Sequence, residues 1–251
     1  MSGHSKWSTI KRQKGANDAK RGALFTKVAR EISVAARQGG GDPDANYRLR
    51  LAMEKARSVN MPADNIKRTI DKATGGGDAD QFEEIVYEGY GPGGVAILVE
   101  AATDNRNRTA AEVRSIFTKA GGQLAGSGAV AWQFEPRGLI AIARDGKVDA
   151  NEVALAAIDA GAEDVDTESD ETIDIYTSPG DLEAVRKALE GAGVPVDSAE
   201  NAMVAKQTVE LDSNKARQAL RLVELLEDLD DVQRVTANFE IPEDLYAEVA
   251  G

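Results

Sequence analysis

The sequence of 251 residues contains no cysteine and one histidine, His4. The absence of thiols excludes disulfides, thiolate metal sites and a cysteine nucleophile. A single histidine also excludes histidine-rich metal centres, and His4, near the N-terminus and without a plausible partner nearby, is not expected to serve a Ser-His-Asp triad. Carboxylates are abundant at 163–171 and 225–231, but such runs are typical of a solvated face or a helix end when no histidine, cysteine or basic partner accompanies them. We therefore expect no enzymatic activity, no catalytic residue, no metal site and no cofactor.

Long apolar runs are absent as well. The longest aliphatic stretch is VAILV at 95–99, far shorter than the ~20 residues that span a bilayer. The first 30 residues lack the apolar core of a secretory signal. With 42% apolar and 29% charged residues, the composition is that of an ordinary globular protein. We expect a cytoplasmic protein that makes no membrane contact.

Charge is present in quantity, and it is divided unevenly along the chain. Residues 1–75 hold 16 Lys or Arg and 7 Asp or Glu, a net charge of +9. Residues 76–251 hold 14 and 36, a net charge of −22. One interpretation is a polyanion-binding end attached to an acidic body. The other is that the helices of the first segment simply have a basic, solvated surface.

The first 75 residues show only helical periodicity. Apolar residues recur at helical spacing between residues 19 and 38, and further helices are predicted at 43–59 and from Pro62 onwards. The basic residues of the first helix project from the side opposite to its apolar face: Lys20, Lys27, Arg30 and Arg37. These helices predict a small bundle with a basic exterior.

From residue 83 onwards the pattern changes to strands that alternate with helices. Strands are predicted at 83–90, 95–102, 129–135, 138–144, 163–169, 172–178, 196–204, 207–211 and 232–240. Helices are predicted at 109–120, 149–160, 181–192 and 214–228, the first of them capped by Thr109 with Glu112. The elements between 138 and 204 follow the ferredoxin-like order β-α-β-β-α-β, and the elements on either side of them give a second unit of that order.

We therefore predict an α+β fold in which a basic three-helix domain precedes two ferredoxin-like α/β domains, the last inserted into the middle one. The predicted boundaries are 1–77 for the helical domain, 78–136 with 207–245 for the middle domain, and 137–206 for the inserted domain.

The N-terminal arm is the first candidate for nucleic-acid contact. The stretch HSKWSTIKRQK at 4–14 places Trp7 among four cations, namely Lys6, Lys11, Arg12 and Lys14. A basic arm with one aromatic residue suits phosphate contact combined with stacking on a base. Alternatively, Trp7 anchors the arm to the helical bundle.

The stretch TDNRNRT at 103–109 is the second candidate. Arg106 and Arg108 lie just before the predicted helix, where the helix N-terminus favours anions and guanidinium groups can bind phosphate in a bidentate manner. Alternatively, this stretch is a polar loop whose arginines pair with nearby carboxylates.

Many separated motifs together resemble one known family. They are GHSKW (3–7), DAKRG (18–22), FTK (25–27), REI (30–32), GGGDP (39–43), NMP-x-DNI (60–66), YEGYGPGGVA (87–96), TDNRNRT (103–109) and VQ-x-V-x-x-NFE (232–240). In this order they resemble the YebC/PmpR family of probable transcriptional regulatory proteins, whose mitochondrial relatives are translational activators. The resemblance implies a three-domain fold and a cytoplasmic, non-enzymatic role. That role would be binding DNA upstream of target genes, or acting on the ribosome to relieve stalling at proline-rich stretches.

We expect a monomeric, nucleic-acid-binding regulator whose partner is DNA or ribosomal RNA, with the ribosome as the larger target. Structured RNA fits a basic bundle better than sequence-specific DNA, because no clear helix-turn-helix is present. The candidate contacts are Lys6, Trp7, Lys11, Arg12, Lys14, Lys20, Arg21, Lys27, Arg30, Arg106 and Arg108. The alternatives are a protein-binding adapter that acts through its acidic α/β domains and a metal-dependent hydrolase that uses the carboxylates.

Overall fold

The computed structural model of the chain describes residues 18–75, 82–144, 146, 148–169 and 172–240, with side chains described from residue 22 onwards. Its helices are α1 (Asp18–Gly39), α2 (Tyr47–Ser58), α3 (Ala63–Thr74), α4 (Arg106–Lys119), α5 (Ala150–Asp159), α6 (Leu182–Gly191) and α7 (Ser213–Glu227). Its strands are β1 (Glu83–Tyr90), β2 (Ala96–Thr103), β3 (Gln123–Leu124), β4 (Phe134–Ala143), β5 (Asp164–Asp166), β6 (Thr172–Thr177), β7 (Ser198–Ala205) and β8 (Val232–Ala237). The predicted α+β class is confirmed. No helix in these described ranges combines the length and apolarity of a membrane span.

Helices α1, α2 and α3 pack around one apolar core, which the helical periodicity predicts. Ile32 and Leu49 are fully buried in it, together with small alanines that let the helices approach closely. Asn46 fixes the connection between α1 and α2, because its Oδ1 accepts from Leu49 N at 3.1 Å while its Nδ2 donates to the carbonyls of Ala35 and Gly40. Gly40 has φ +87°, a left-handed conformation that suits glycine at a helix end.

The first sheet has the strand order β3-β1-β2-β8, and all of its neighbouring strands are antiparallel. Helices α4 and α7 cover one face, where Phe117 and Leu222 are buried against Ile97 and Val99. The opposite face of β2 packs through Ala96 and Leu98 against the segment that enters β4.

The second sheet has the order β5-β6-β4-β7, and it is also antiparallel throughout. Its elements run β4-α5-β5-β6-α6-β7, which is the ferredoxin-like arrangement that the sequence predicts for this part. Helices α5 and α6 cover one face, with Val153 and Leu189 among the buried contacts. In sequence, the whole sheet lies between β3 and β8 of the first sheet.

Three element predictions in and around the first sheet are wrong. The predicted strand 129–135 is a short 3-10 turn at Ala131–Gln133 that leads into β4, and the predicted strand 138–144 is confirmed as the later part of β4. Residues 207–211 form only a single parallel bridge, between Val209 and Phe239. Helix α4 begins at Arg106, three residues before the predicted cap, because Asn105 is the N-cap and accepts from Arg108 N at 3.1 Å. Asn105 and Thr109 can both cap a helix, and the helix starts at the earlier of the two.

Candidate nucleic-acid interface

The structure describes the side chains of four of the eleven predicted contact residues. Lys27 and Arg30 lie on α1, and Arg106 and Arg108 lie in the first turn of α4. The candidates of the N-terminal arm fall outside the described residues, and so do the side chains of two residues on α1. These seven are Lys6, Trp7, Lys11, Arg12, Lys14, Lys20 and Arg21.

The structure brings Arg30 and Arg108 together at one buried carboxylate, Asp231, which is only 3% exposed. Arg30 Nη1 lies 2.9 Å from Asp231 Oδ1, and Arg108 Nη2 lies 2.8 Å from Oδ2. Thr103 and Thr109 donate their hydroxyls to the same Oδ2, at 3.0 Å and 2.6 Å. Asp231 therefore joins α1, the end of β2 and α4 at the start of β8.

Burial alone would raise the pKa of Asp231, since it penalises the charged form. The hydrogen bonds from Arg108, Thr109 and Thr103, with the positive charge of Arg30, more than offset it and hold the pKa below its ordinary value. The carboxylate is thus ionised at neutral pH and fully paired within the protein. The same bond to Asp231 is the largest cause that raises the pKa of Arg108.

Three further contacts attach α1 to the acidic body. Arg30 donates to the carbonyl of Asp230 and lies with its guanidinium 5.4 Å from the centre of the Phe82 ring. Lys27 donates to the carbonyl of Glu227, the last residue of α7. A cation at a helix C-terminus is favoured there, because the unpaired carbonyls carry partial negative charge.

The position of Arg30 corrects the predicted exposed basic face of α1. Its side chain is 14% exposed, and residues 32–36 are all buried, because α1 has α2 and α3 on one side and contacts β2 and β8 on the other. Periodicity correctly separated the apolar and basic sides of α1. It could not indicate that the basic side would meet carboxylates and carbonyls some 200 residues further along the chain.

In the stretch 103–109, Arg108 pairs with nearby carboxylates, as the alternative interpretation of this stretch predicts. Its guanidinium is bonded to Asp104 at 2.7 Å as well as to Asp231, yet 42% of the side chain stays exposed. Arg106 is exposed one residue after the N-cap of α4. The helix N-terminus and two guanidinium groups therefore face solvent together, although one of the two is already held by carboxylates.

Ion pairs continue along the contact between the helices and the two sheets. Arg48 of α2 binds Glu84 of β1, and Arg50 lies 3.4 Å from Glu183 of α6. Part of the charge asymmetry is thus used inside the molecule, where the basic helices meet the acidic body. Besides Arg48, the exposed cations of α2 and α3 are Arg57, Lys67, Arg68 and Lys72, and no sequence motif singled them out. Only the net positive charge of residues 1–75 indicated that such exposed cations are present.

Comparison with known proteins accounts for both parts of the chain. A family model described as the N-terminal domain of the TACO1/YebC protein matches residues 5–76. A second model, described as the TACO1/YebC second and third domain, matches residues 82–239. The chain belongs to the YebC family. The resemblance inferred from its motifs is confirmed.

Relatives of this YebC-family chain match at least nine-tenths of its length. A probable transcriptional regulatory protein from Roseiflexus castenholzii is 58% identical over 249 residues, which is 98% of this chain and 97% of the relative. One of the same name from Rubrobacter xylanophilus is 56% identical and covers 100% of both chains. The crystal structure of a conserved hypothetical protein from Aquifex aeolicus is 49% identical, with a TM-score of 0.84 over 90% of this chain and 93% of that one. The shared name of the two curated relatives supports a role in regulating gene expression, and it mentions no catalytic activity.

Proposed function

We propose that the protein is a non-enzymatic regulator of gene expression that binds nucleic acid through phosphates at its basic end. The observation that carries this proposal is the confinement of net positive charge to residues 1–75, at +9 against −22 for the remainder. A polyanion is attracted to such an end and repelled by the rest of the surface. The acidic body then restricts where contact occurs.

The contacts among the described residues refine the choice of binding groups. Arg30 is occupied by Asp231 and is removed from the candidates, whereas Arg57 and Arg68 are exposed on α2 and α3 and are added. Arg106 and Arg108 remain candidates, since an anion at the N-terminus of α4 can meet both guanidinium groups. The arm, Lys20 and Arg21 remain predictions.

Structured RNA is the nucleic acid that we favour. Its double-stranded parts are recognised mainly by shape and by contacts to phosphates and sugars, which a scattered set of surface cations provides. We propose ribosomal RNA as the ligand and relief of stalling at proline-rich stretches as the outcome. That last step rests on the family resemblance, and DNA upstream of target genes is the competing ligand. Crosslinking in cells, followed by sequencing of the attached nucleic acid, distinguishes the two.

The arm is tested by deletion of residues 2–17, which leaves every described residue in place. We expect the shortened protein to lose ribosome co-sedimentation, since five candidate contacts are removed. Unchanged co-sedimentation would exclude the arm as a contact. Thermal unfolding of the shortened protein, measured in parallel, shows whether the remaining fold is intact.

The helical surface is tested by the double variant Arg57→Ala/Arg68→Ala. The measurement is the slope of log affinity for duplex RNA against log salt concentration. For each of the two cations that neutralises one phosphate, removal should lower the slope by about 0.9, the value known for duplex DNA. The matched control is Lys119→Ala/Arg221→Ala, which removes two exposed cations from the acidic body. A slope that falls equally in both double variants contradicts a binding surface confined to the basic end.

One observation favours the adapter alternative. Leu155 and Ile158 are 64% and 59% exposed, one turn apart on α5, and Glu152 and Asp159 are exposed on the same helix. An apolar pair among carboxylates suits a partner protein with basic and apolar side chains. Capture of a partner that survives nuclease treatment and is lost in Leu155→Ser would favour this function.

A further inference from the structure

Two aromatic side chains are exposed next to one another at the end of β1. Trp132 is 68% exposed and Tyr90 is 38% exposed, in a chain in which only 5% of residues are aromatic. The other large aromatic side chains in the described ranges are buried or half-buried. Two exposed rings therefore need an explanation other than core packing.

Both rings are oriented by the same acceptor. Tyr90 Oη donates to the carbonyl of Ala129 at 3.0 Å, and Trp132 Nε1 donates to that carbonyl at 3.1 Å. Because the two polar atoms converge on one oxygen, the polar edges of the two rings lie close together. Their hydrogen-bonding atoms face the protein, so the exposed part of each is apolar ring surface.

The loop that carries Ala129 is itself held by a buried carboxylate. Glu88 is 5% exposed, and it accepts from the backbone amides of Gly128 at 2.6 Å, Val130 at 2.7 Å and Ala131 at 2.8 Å. Gly128 has φ +84°, which lets the loop turn its amides toward Glu88. The rings are thus fixed before any ligand arrives, and little conformational entropy is lost on binding.

A cation lies beside the rings. Lys206 Nζ donates to the carbonyl of Trp132 at 2.9 Å, and the side chain is exposed. An ammonium group has three donors, so this bond leaves two for an anion. Preoriented rings together with a cation match an unpaired nucleotide, in which a flat base is joined to a phosphate.

We infer that Tyr90 and Trp132 form a stacking site for an unpaired base of RNA, with Lys206 at the adjoining phosphate. This inference rests on the proposed function, and it adds single-stranded RNA as a ligand of the first sheet domain, away from the basic helices. Unpaired bases are commonly recognised by stacking on aromatic side chains, whereas bases within a duplex are inaccessible to such rings.

The test uses the full chain with two labelled probes: a 12-nucleotide oligo(A) RNA and an abasic strand of the same length and charge. Trp132→Ala should weaken oligo(A) binding about 5- to 150-fold, the range for loss of one stacked base, and should leave the abasic strand unaffected. Trp132→Phe should retain most of the affinity, because a ring remains. The control Val86→Ala removes another exposed apolar side chain, which is 53% exposed, and should change neither probe.

A second readout reports directly on the ring. The chain has two tryptophans, so Trp7→Phe leaves Trp132 as the sole tryptophan emitter. Oligo(A) should quench this emission and the abasic strand should not. Lys206→Ala should lower the salt slope for oligo(A) by about 0.7, whereas Trp132→Ala should leave that slope unchanged.

The outcomes separate this inference from the proposed function. Equal affinity for both probes, unaltered by Trp132→Ala, overturns the stacking site and leaves phosphate binding at the basic end intact. Failure of the parent protein to bind either probe or duplex RNA overturns both. If Trp132→Ala changes only the protein's own sedimentation, the rings are a contact between copies of the chain, and the stacking site is likewise overturned.

Discussion

Asp231 and Glu88 are both buried carboxylates, but they are satisfied by different kinds of partner. Asp231 binds charged and hydroxyl side chains from three elements, and one of them, Arg30, lies some 200 residues away. Glu88 binds three backbone amides within a single loop about 40 residues away. Side-chain partners make Asp231 a joint between the basic helices and the acidic body. Backbone partners make Glu88 a local clamp on the loop that carries Trp132.

The comparison also shows how this protein uses its negative charge. For both carboxylates burial acts to raise the pKa, and the hydrogen bonds that they accept bring it below the ordinary value. At Asp231 the compensation includes positive charge contributed by α1 and α4. At Glu88 it comes from amide dipoles alone. Loss of Asp231 should therefore affect the contact between domains, and loss of Glu88 should affect one loop.

The largest effect is expected for Asp231→Ala. This change removes the carboxylate that pairs with the nearly buried guanidinium of Arg30. We therefore expect the free energy of unfolding to fall by about 3–5 kcal/mol. Urea unfolding of the full chain measures it. The control is Asp104→Ala, which removes the other, 42% exposed carboxylate bound to Arg108 and should cost less than about 1 kcal/mol. Equal losses in the two variants would show that burial does not distinguish these pairs.

Glu88→Gln is expected to have an intermediate and local effect. Glutamine keeps the shape of the side chain but replaces one carboxylate oxygen with an NH₂ group. That group cannot accept a hydrogen bond from a backbone amide, so we expect the free energy of unfolding to fall by about 1–3 kcal/mol. Hydrogen exchange should accelerate at the amides of Gly128, Val130 and Ala131 and stay unchanged around Asp231. Glu84→Gln, on the same face of β1 but exposed, is the control. Faster exchange throughout both sheets would contradict a local clamp.

Acid should weaken both sites. Because the folded pKa of each carboxylate is lowered, its contribution to stability is complete above the unfolded pKa and is lost as the pH falls through the folded pKa. Unfolding free energies measured from about pH 6 to about pH 2 should decline, and the decline should be shallower in Asp231→Asn, which has lost one such titration. An unchanged slope in this variant would show that Asp231 titrates alike in the folded and unfolded chain.

Local sequence predicted the parts of the fold that local interactions decide. The helices of the N-terminal unit and the ferredoxin-like order of the second sheet follow from hydrophobic periods of 3.6 and 2. The segment 129–135 was wrongly predicted as a strand because Glu88, far upstream, draws the loop amides away from strand pairing. The start of α4 was misplaced because Asn105 and Thr109 are both good caps.

The candidate site was less predictable for the same reason. The run 225–231 was interpreted as solvated, and this is correct for Asp228 and Asp230 but wrong for the buried Asp231. No neighbouring residue distinguishes these three aspartates. What distinguishes Asp231 is its contact with Arg30 and Arg108, which only the folded chain brings together.

The smallest effect is expected for Arg48 and Glu84, an ion pair that also joins the helices to the first sheet. Their side chains are 45% and 44% exposed, so water screens the attraction between them. The more deeply buried pair of Arg30 and Asp231 is screened much less. A double-mutant cycle with Arg48→Ala and Glu84→Ala should give a coupling of about 1 kcal/mol or less, which declines further in 0.5 M salt, about three times physiological ionic strength. The hydrogen bond from Arg48 is the largest cause of the lowered pKa of Glu84, so geometry favours the pair. A coupling as large as the loss in Asp231→Ala would mean that charge alone, and not burial, holds the two parts of the protein together.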